Sequence, residues 1–483
     1  MSQYHFQLIG RLVQKEAETG EAIRDQVITE HALPEETVEI EWLEKLVLEA
    51  ANDVRRQSFF KILEHYDAQL SGRRQHVTEH CEVIFAGKKG LEIASCVGRD
   101  VVHRQRCLCK TCKQTFVPFH EMVPSTSHIY ITESLRERSC DLVKDCTYSQ
   151  SHGFVQSETG DPETLCRREL RNLVETEGER IRTQEMVEAR TTLHGHGIDV
   201  DEIEALLSNR IEPSEASGAV PGICTPPLPE AQEGAAAFDH EPTTAREIEA
   251  NAVKGSLDGV VVRRPEKRKW LELCVADVRD QAGHQIKAVS DADWTSLTIK
   301  LLAVLLGWAG AHTPIVLFVD GAPVLKNIVE ILRGLFKEVY LILDWYHLVK
   351  KCKQRLSLAC YGSTHRKQWL QIIMPLLWEG KVAHAIWQLR KLRKEARNPE
   401  QVDKLIDYLV RNQAFIPHYK RRKELGLTNG SHRAEKACDL LVSKRMKHAG
   451  MHWREEGSDA VLALRTIHRN GEWDQYFPKA VGF

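Results

Sequence analysis

The chain has 483 residues, 42% of them hydrophobic and 28% charged, with a formal net charge of -2. These values are ordinary for a globular protein, exclude a chain that is disordered throughout, and leave room for two or three domains. Thirteen cysteines scattered through a chain of this length exclude a small disulfide scaffold and read as mostly reduced thiols.

The opening stretch MSQYHFQLIGRLVQKEAETG has no apolar core behind a basic start, so no signal peptide is read. The longest apolar run, Leu301 to Ala311, falls short of the roughly 20 residues that span a bilayer. Both point to a soluble, cytoplasmic protein. Charge is unevenly spread: residues 345–483 hold 27 Lys plus Arg against 13 Asp plus Glu, and residues 197–259 hold 3 against 13.

Residues 1–75 form an expected N-terminal helical region, because Leu43, Leu46, Val47, Ala50, Phe59, Phe60 and Leu63 recur at helical spacing. Residues 76–125 shorten to strand-like runs and predict a small β-rich, ribbon-like unit. Residues 126–207 return to a helical composition. Residues 208–250 are rich in Pro, Ala, Gly and Glu, bury too little apolar surface to offset chain entropy, and read as a linker.

Beyond the linker, Ser256–Val262, Trp270–Val278 and His284–Ser290 suggest a three-stranded meander. Thr295 and Ser296 offer N-cap hydroxyls for a helix reaching Trp308. Pro314–Val319 predicts a buried strand, Val324–Phe336 a helix and Glu338–Leu343 another buried strand. The order β-β-β-α-β-α-β is that of a ribonuclease H-like mixed sheet. The expected fold is thus multidomain α+β, with a catalytic core over 251–364 and 425–483 and an all-α insertion over 365–424.

Two aspartates sit where this order makes them useful. Asp258 lies within the first strand of the core and Asp320 ends the fourth, at the edge where α/β sheets carry their sites. Carboxylates so placed suit Mg²⁺ or Mn²⁺ and phosphodiester chemistry. The plain alternative is turn capping, since Asp-Gly is a common turn pair. Over His432–Ala449, Ala434, Ala437, Cys438, Leu441, Val442 and Met446 share one helix face, with Glu435 near its border. Asp344 and His347 stand three apart at a strand-to-helix junction, where Asp is also an ordinary helix cap.

The runs LFVDGAPVLKN and LILDWYH, and the C-terminal series from TNGSHRAEKACDLL to NGEWDQYF, resemble bacterial insertion-sequence DDE transposases of the ISKra type, relatives of the Mutator and hAT groups. The resemblance covers about 230 residues. It implies a metal-bound catalytic triad of Asp258, Asp320 and Glu435, with Asp344 and His347 adjacent to the site. It further implies cleavage and strand transfer of DNA, with element ends and target as partners, and a homo-oligomer that synapses two ends.

Between Asp320 and Glu435 lie 114 residues, and the helical, basic insertion within them reads as a domain in its own right. Arg390, Lys391, Arg393, Lys394, Arg397 and the Lys420–Lys423 run can neutralise phosphates. Trp369, Trp378 and Trp387 either pack in a core or stack on an extruded base, with packing the commoner role.

In the β-rich unit, Cys109 and Cys112 have Zn²⁺-knuckle spacing with Cys107 close by, but a regular second pair is lacking. A Zn²⁺ site and a metal-free hairpin both remain open, and Arg104 and Arg106 suit DNA recognition in either case. Two rivals to the transposase reading are a structure-selective nuclease on the same fold and a DNA-binding regulator that has lost catalysis.

Overall fold

Short β-branched and aliphatic runs become strands, and the long Glu-, Arg- and Leu-rich runs become helices. The structure is a computed structural model that describes residues 7–15, 22–32, 39–72, 82–123, 128–208, 242–266, 269–310, 312–322, 325–430, 432–448 and 450–478. It divides into two units, 1–177 and 178–483.

In the first unit, β1 (Gln7–Lys15) and β2 (Ala22–Ala32) form an antiparallel pair with register shifts after Gly10 and Gln14. The helical expectation for 1–75 therefore holds only for α1 (Ile40–Gly72). Over 7–15 and 22–32 the apolar residues fall in adjacent pairs, such as Leu8 with Ile9 and Val27 with Ile28, which do not distinguish strand from helix, and the two strands satisfy each other's backbone groups by pairing. β3 (Val83–Ser95) and β4 (Gly98–Cys109) make a long hairpin. β5 (Thr115–Phe116) and β6 (Ile129–Ile131) flank it in the order β5-β4-β3-β6. Phe60 of α1 packs with Leu91, Ile93, Val102, Phe119 and Val123 to form the core of this sheet. α2 (Glu133–Asp145), α3 (Tyr148–Thr159) and the start of α4 (Arg167–Gly195) complete the unit.

The second unit holds the end of α4 and α5 (Val200–Ser208). Most of the linker stretch, 209–241, lies outside the described residues. Its last residues do not behave as a linker: α6 (Pro242–Ala250) buries Ala245, and Glu249 forms a buried ion pair with Arg422 at 2.5 Å.

The central sheet contains β7 (Val253–Arg263), β8 (Trp270–Arg279), β9 (Ile286–Asp291), β10 (Ile315–Val319) and β11 (Val339–Leu343) in the order β11-β10-β7-β8-β9. The β7-β8-β9 meander is antiparallel, and β10 is parallel to both β7 and β11. α7 (Trp294–Trp308) and α8 (Leu325–Leu335) supply the two crossovers. α7 is capped by Asp293, whose carboxylate accepts the Ser296 N–H at 2.8 Å, in place of the hydroxyls of Thr295 and Ser296. A carboxylate at the N-cap also meets the helix dipole favourably.

Alternation along β10 explains its unbroken hydrophobicity. Ile315, Leu317 and Val319 join the core under α7 and α8, whereas Val316 and Phe318 join a second core on the opposite face. That second core is shared with α9 (Trp345–Ala359), α10 (Gly362–Trp378), α11 (Val382–Glu395), α12 (Pro399–Arg411) and α13 (Tyr419–Glu424). The helical insertion is thus not a separate domain, because Ile373, Leu389 and Leu405 belong to the same apolar cluster as strand residues Phe318 and Ile342.

The chain ends with α14 (His432–Cys438), a π-helical turn over Asp439–Ser443, α15 (Lys444–Met446), α16 (Glu455–Asn470) and α17 (Trp473–Tyr476). α14 packs on β7 and β8, and α16 on β9. The single helix expected over 432–449 is therefore interrupted, and the extra residue of the wide turn re-aims the segment after Cys438.

Candidate metal centre

Asp258 stands on β7 between Leu257, which joins the core under α7, and Gly259. Strand alternation sends Asp258 to the other face, where α9 and α14 lie. Asp320 follows the last residue of β10, one strand away, because β7 and β10 pair in parallel with Phe318 opposite Ser256. One Asp320 oxygen accepts the Ala322 N–H at 2.8 Å, so the turn-capping role of this residue is real. It does not exclude the metal role, because a carboxylate has lone pairs to spare.

The turn itself depends on glycine. Gly321 has φ +81°, and a Cβ there would lie 3.0 Å from Asn412 Nδ2, Leu343 Cδ1 and the Tyr408 hydroxyl. The Tyr408 hydroxyl also donates to the Asp320 carbonyl at 3.0 Å, pinning the strand end from α12.

Asp344 and His347 separate in role. Asp344 is buried and caps α9: one oxygen accepts the N–H of Tyr346 at 2.7 Å and of His347 at 3.2 Å. His347 is one turn on, and its side chain comes together with Asp258 and Asp320 so that one potential ligand atom from each lies within 4.8 Å of the others. These three form the sole such cluster of His, Cys, Asp or Glu among the described residues. Two carboxylates and an imidazole, all half-buried, are a donor set that suits a divalent cation.

Glu435 is exposed on α14 and is not part of the trio, although it lines the same cleft. That cleft has a volume of about 740 Å³. Lys350, Lys351, Lys436 and Lys447 line it together with Tyr346, Tyr408 and Asp439. The α9 contribution follows from helical period: His347, Lys350, Lys351 and Gln354 share the cleft face, while Leu348, Cys352 and Leu356 are buried behind.

Electrostatics mark the same spot. Burial, with the neighbouring Asp320 charge, pushes the Asp258 carboxyl above its ordinary range; the nearby His347, the Cys438 thiol and the Gly259 N–H act in the opposite direction. The Cys438 thiol hydrogen-bonds to Asp258, and burial beside that carboxyl pushes the thiol well up, keeping it protonated as the donor. Burial and the adjacent Arg355 hold Lys351 below the usual lysine range, with the Asp320 charge opposing them.

Two residues here escaped sequence reasoning. Cys438 reads as one more apolar position of a helix. Glu272 on β8 pairs with Val261 and so belongs to the face opposite Asp258. A Cβ on Gly259 would overlap the Glu272 carboxylate, so the glycine makes room for it. Desolvation and the Asp320 charge raise the Glu272 carboxyl, while a hydrogen bond with Trp294 opposes the shift. Gly259 was the one sequence signal for this arrangement.

The remaining expectations divide. The Cys107, Cys109 and Cys112 thiols do not converge with each other or with a third ligand type among the described residues: Cys107 and Cys109 are buried and Cys112 is exposed. The Cys109 sulfur instead accepts the Cys112 N–H at 3.3 Å. Of the other His and Cys residues of this unit that could have supplied a second pair, His80, Cys81, Cys96 and His103, the first two lie outside the described residues. Arg104 is 2% exposed and cannot reach DNA from the surface, whereas Arg106 is exposed. In the Lys420–Lys423 run, Arg422 is committed to Glu249, Asn429 and the Thr428 carbonyl.

Trp369 is buried, and Trp378 packs in an aromatic group with Trp345, at a centroid distance of 4.7 Å, and Tyr419. Trp387 is 52% exposed with the Lys391 ammonium 3.3 Å from its ring centroid. Among the described residues no helix is long and apolar enough to cross a membrane. No model of a known protein family matches the chain, and no curated protein matches it.

Proposed function

We propose that the chain is a metal-dependent enzyme of phosphodiester chemistry on DNA, with a ribonuclease H-like core, acting as a DDE transposase. The observation that carries this reading is the convergence of Asp258, Asp320 and His347 in a cleft lined by four lysines. The converging acidic and imidazole donors suit a cation, and the ammonium groups that line the same cleft suit a polyanion. The sheet order, with the two aspartates on adjacent parallel strands, supports the core assignment.

Asp258 and Asp320 would hold Mg²⁺ or Mn²⁺, with His347 beside them and Glu435, which lines the same cleft, as the third acid of the resemblance. When bound, the cation supplies a more acidic attacking water or hydroxyl and charge stabilisation at the leaving oxygen. The chain's own residues do the positioning. Lys350, Lys351, Lys436 and Lys447 bind non-bridging phosphate oxygens and hold the backbone in register over the carboxylates. Asp344 and the buried face of α9 fix the helix start that presents His347. Cys438 orients the Asp258 carboxyl. The two transposition steps, hydrolysis to free a 3′-OH and attack of that hydroxyl on target DNA, both require this placement.

The test uses full-length protein with DNA carrying the ends of the element. The expected result is nicking and strand transfer that require Mg²⁺ or Mn²⁺ and disappear in Asp320→Ala. Cleavage at the wild-type rate by that variant would overturn the site. Cleavage equally efficient on DNA without the element's ends would favour a structure-selective nuclease. Binding without any cleavage would favour a regulator.

A further inference from the structure

We infer that His347 is a direct ligand of the metal and that it makes the centre select Mn²⁺ over Mg²⁺. This rests on the reading that Asp258 and Asp320 hold a divalent cation, and it departs from an all-carboxylate triad. The third side chain that reaches the two aspartates is an imidazole, with one donor atom from each residue inside a 4.8 Å span. Glu435, the acid that the DDE pattern would put there, is exposed and outside that group.

The imidazole's position is built into the fold. The His347 backbone N–H is held by the Asp344 cap at 3.2 Å, and the next residue, Leu348, is fully buried, so the first turn of α9 has little freedom. The Asp258 carboxyl is fixed independently, by the thiol of buried Cys438. A ligand set with its own supporting partners discriminates between ions better than a loose acidic patch.

Donor chemistry then sets the preference. Mg²⁺ is a hard ion that takes oxygen ligands in a strict octahedron and gives up water reluctantly. Replacing one oxygen donor by imidazole nitrogen weakens its binding relative to ions that accept nitrogen readily. Mn²⁺ accepts both donor types and still serves phosphoryl transfer.

Binding is measured on the full chain, without DNA, by titrating Mn²⁺ and Mg²⁺ into wild type, His347→Asp, His347→Gln and Asp320→Asn. Pulsed electron paramagnetic resonance of the Mn²⁺-loaded protein reads nitrogen coordination directly. Wild type is expected to prefer Mn²⁺ by about 10-fold or more and to give a nitrogen coupling. His347→Asp is expected to lose that coupling and most of the preference while still binding Mg²⁺. Both substitutions keep the backbone bond to Asp344, and a melting temperature near wild type checks the fold; Gln serves if Asp fails that check.

Nitrogen-free Mn²⁺ in wild type, with binding still abolished by Asp320→Asn, would overturn the role of His347 and leave the metal reading intact. Wild type that binds neither ion better than Asp320→Asn would overturn both.

Discussion

Gly321 shows how a single residue can carry a site without touching a ligand. Its φ of +81° is costly for any side chain, and Leu343, Tyr408 and Asn412 leave no room for a methyl group. Tyr408 and Asn412 are both buried, so neither can swing into solvent to make space. Gly321→Ala is therefore expected to lose about 1–3 kcal/mol of stability from strain and overpacking. The peptide it moves is the one bearing Asp320, so metal affinity should fall as well. Chemical denaturation and Mn²⁺ titration of the variant would check both, and an unchanged unfolding midpoint would refute the packing argument. Asp320 was legible in the sequence because a continuous apolar strand delivers it to a known kind of edge. The need for Gly321 was legible only as a turn signal, since its crowding comes from residues 408 and 412 far along the chain. The same limit hid His347: its distance from Asp344 suggested a capped helix, and only the folded sheet brings its ring to Asp258.

Among elements, the edge strand β9 depends most on charge. Asp291 at its end is buried and ion-paired with Lys300 of α7 at 2.8 Å and with Arg182 of α4 at 2.8 Å. Lys300 is itself buried and also meets Glu185 of α4 at 2.7 Å. α4 is thereby tied to the sheet by two cations that share one aspartate. Burial alone would raise the Asp291 carboxyl, but Lys300 and Arg182 outweigh it and hold it below the ordinary value of 3.8. A carboxylate with a lowered folded-state pKa stabilises fully above its unfolded value and loses that contribution as pH falls through the folded one. Asp291→Asn is thus expected to cost roughly 3–5 kcal/mol near neutral pH, as when one partner of a buried pair is removed. The difference from wild type should be constant down to about pH 4 and shrink below it. Urea unfolding of both proteins between pH 7 and pH 3 measures this, and a gap that persists undiminished at pH 3 would contradict it. None of this was readable beforehand: Arg182, Asp291 and Lys300 each look like a routine surface charge until α4, β9 and α7 meet. The strands were readable because burial on one or both faces writes a period into the sequence, whereas partners in an ion network leave no period. α6 was lost within the linker for a related reason, since its anchor, Glu249, is explained by Arg422 more than 170 residues later.

For the whole molecule, a net charge of -2 conceals a basic C-terminal third. Folding refines which of those cations are free to meet a polyanion. Arg422 is consumed by Glu249, and Arg393 pairs with Asp403 at 2.6 Å. Lys391, Lys394 and Arg397 are exposed along the outer side of the segment that begins with α11, beside the exposed Trp387. If this surface contacts DNA, each phosphate neutralised releases counterions, and the logarithm of affinity falls with the logarithm of salt by about 0.9 per contact. Replacing Lys391, Lys394 and Arg397 together by glutamine is expected to flatten that slope by about 2 to 3 and to weaken binding similarly on all sequences. Arg393→Gln is the internal comparison: its charge is already engaged by Asp403, so its loss should change the slope by much less than one contact. Affinity for duplex DNA measured from 50 to 300 mM salt distinguishes the two variants. Equal slopes for the triple variant and wild type would remove α11 from the interface and leave the cleft lysines, Lys350, Lys351, Lys436 and Lys447, as the candidate phosphate contacts.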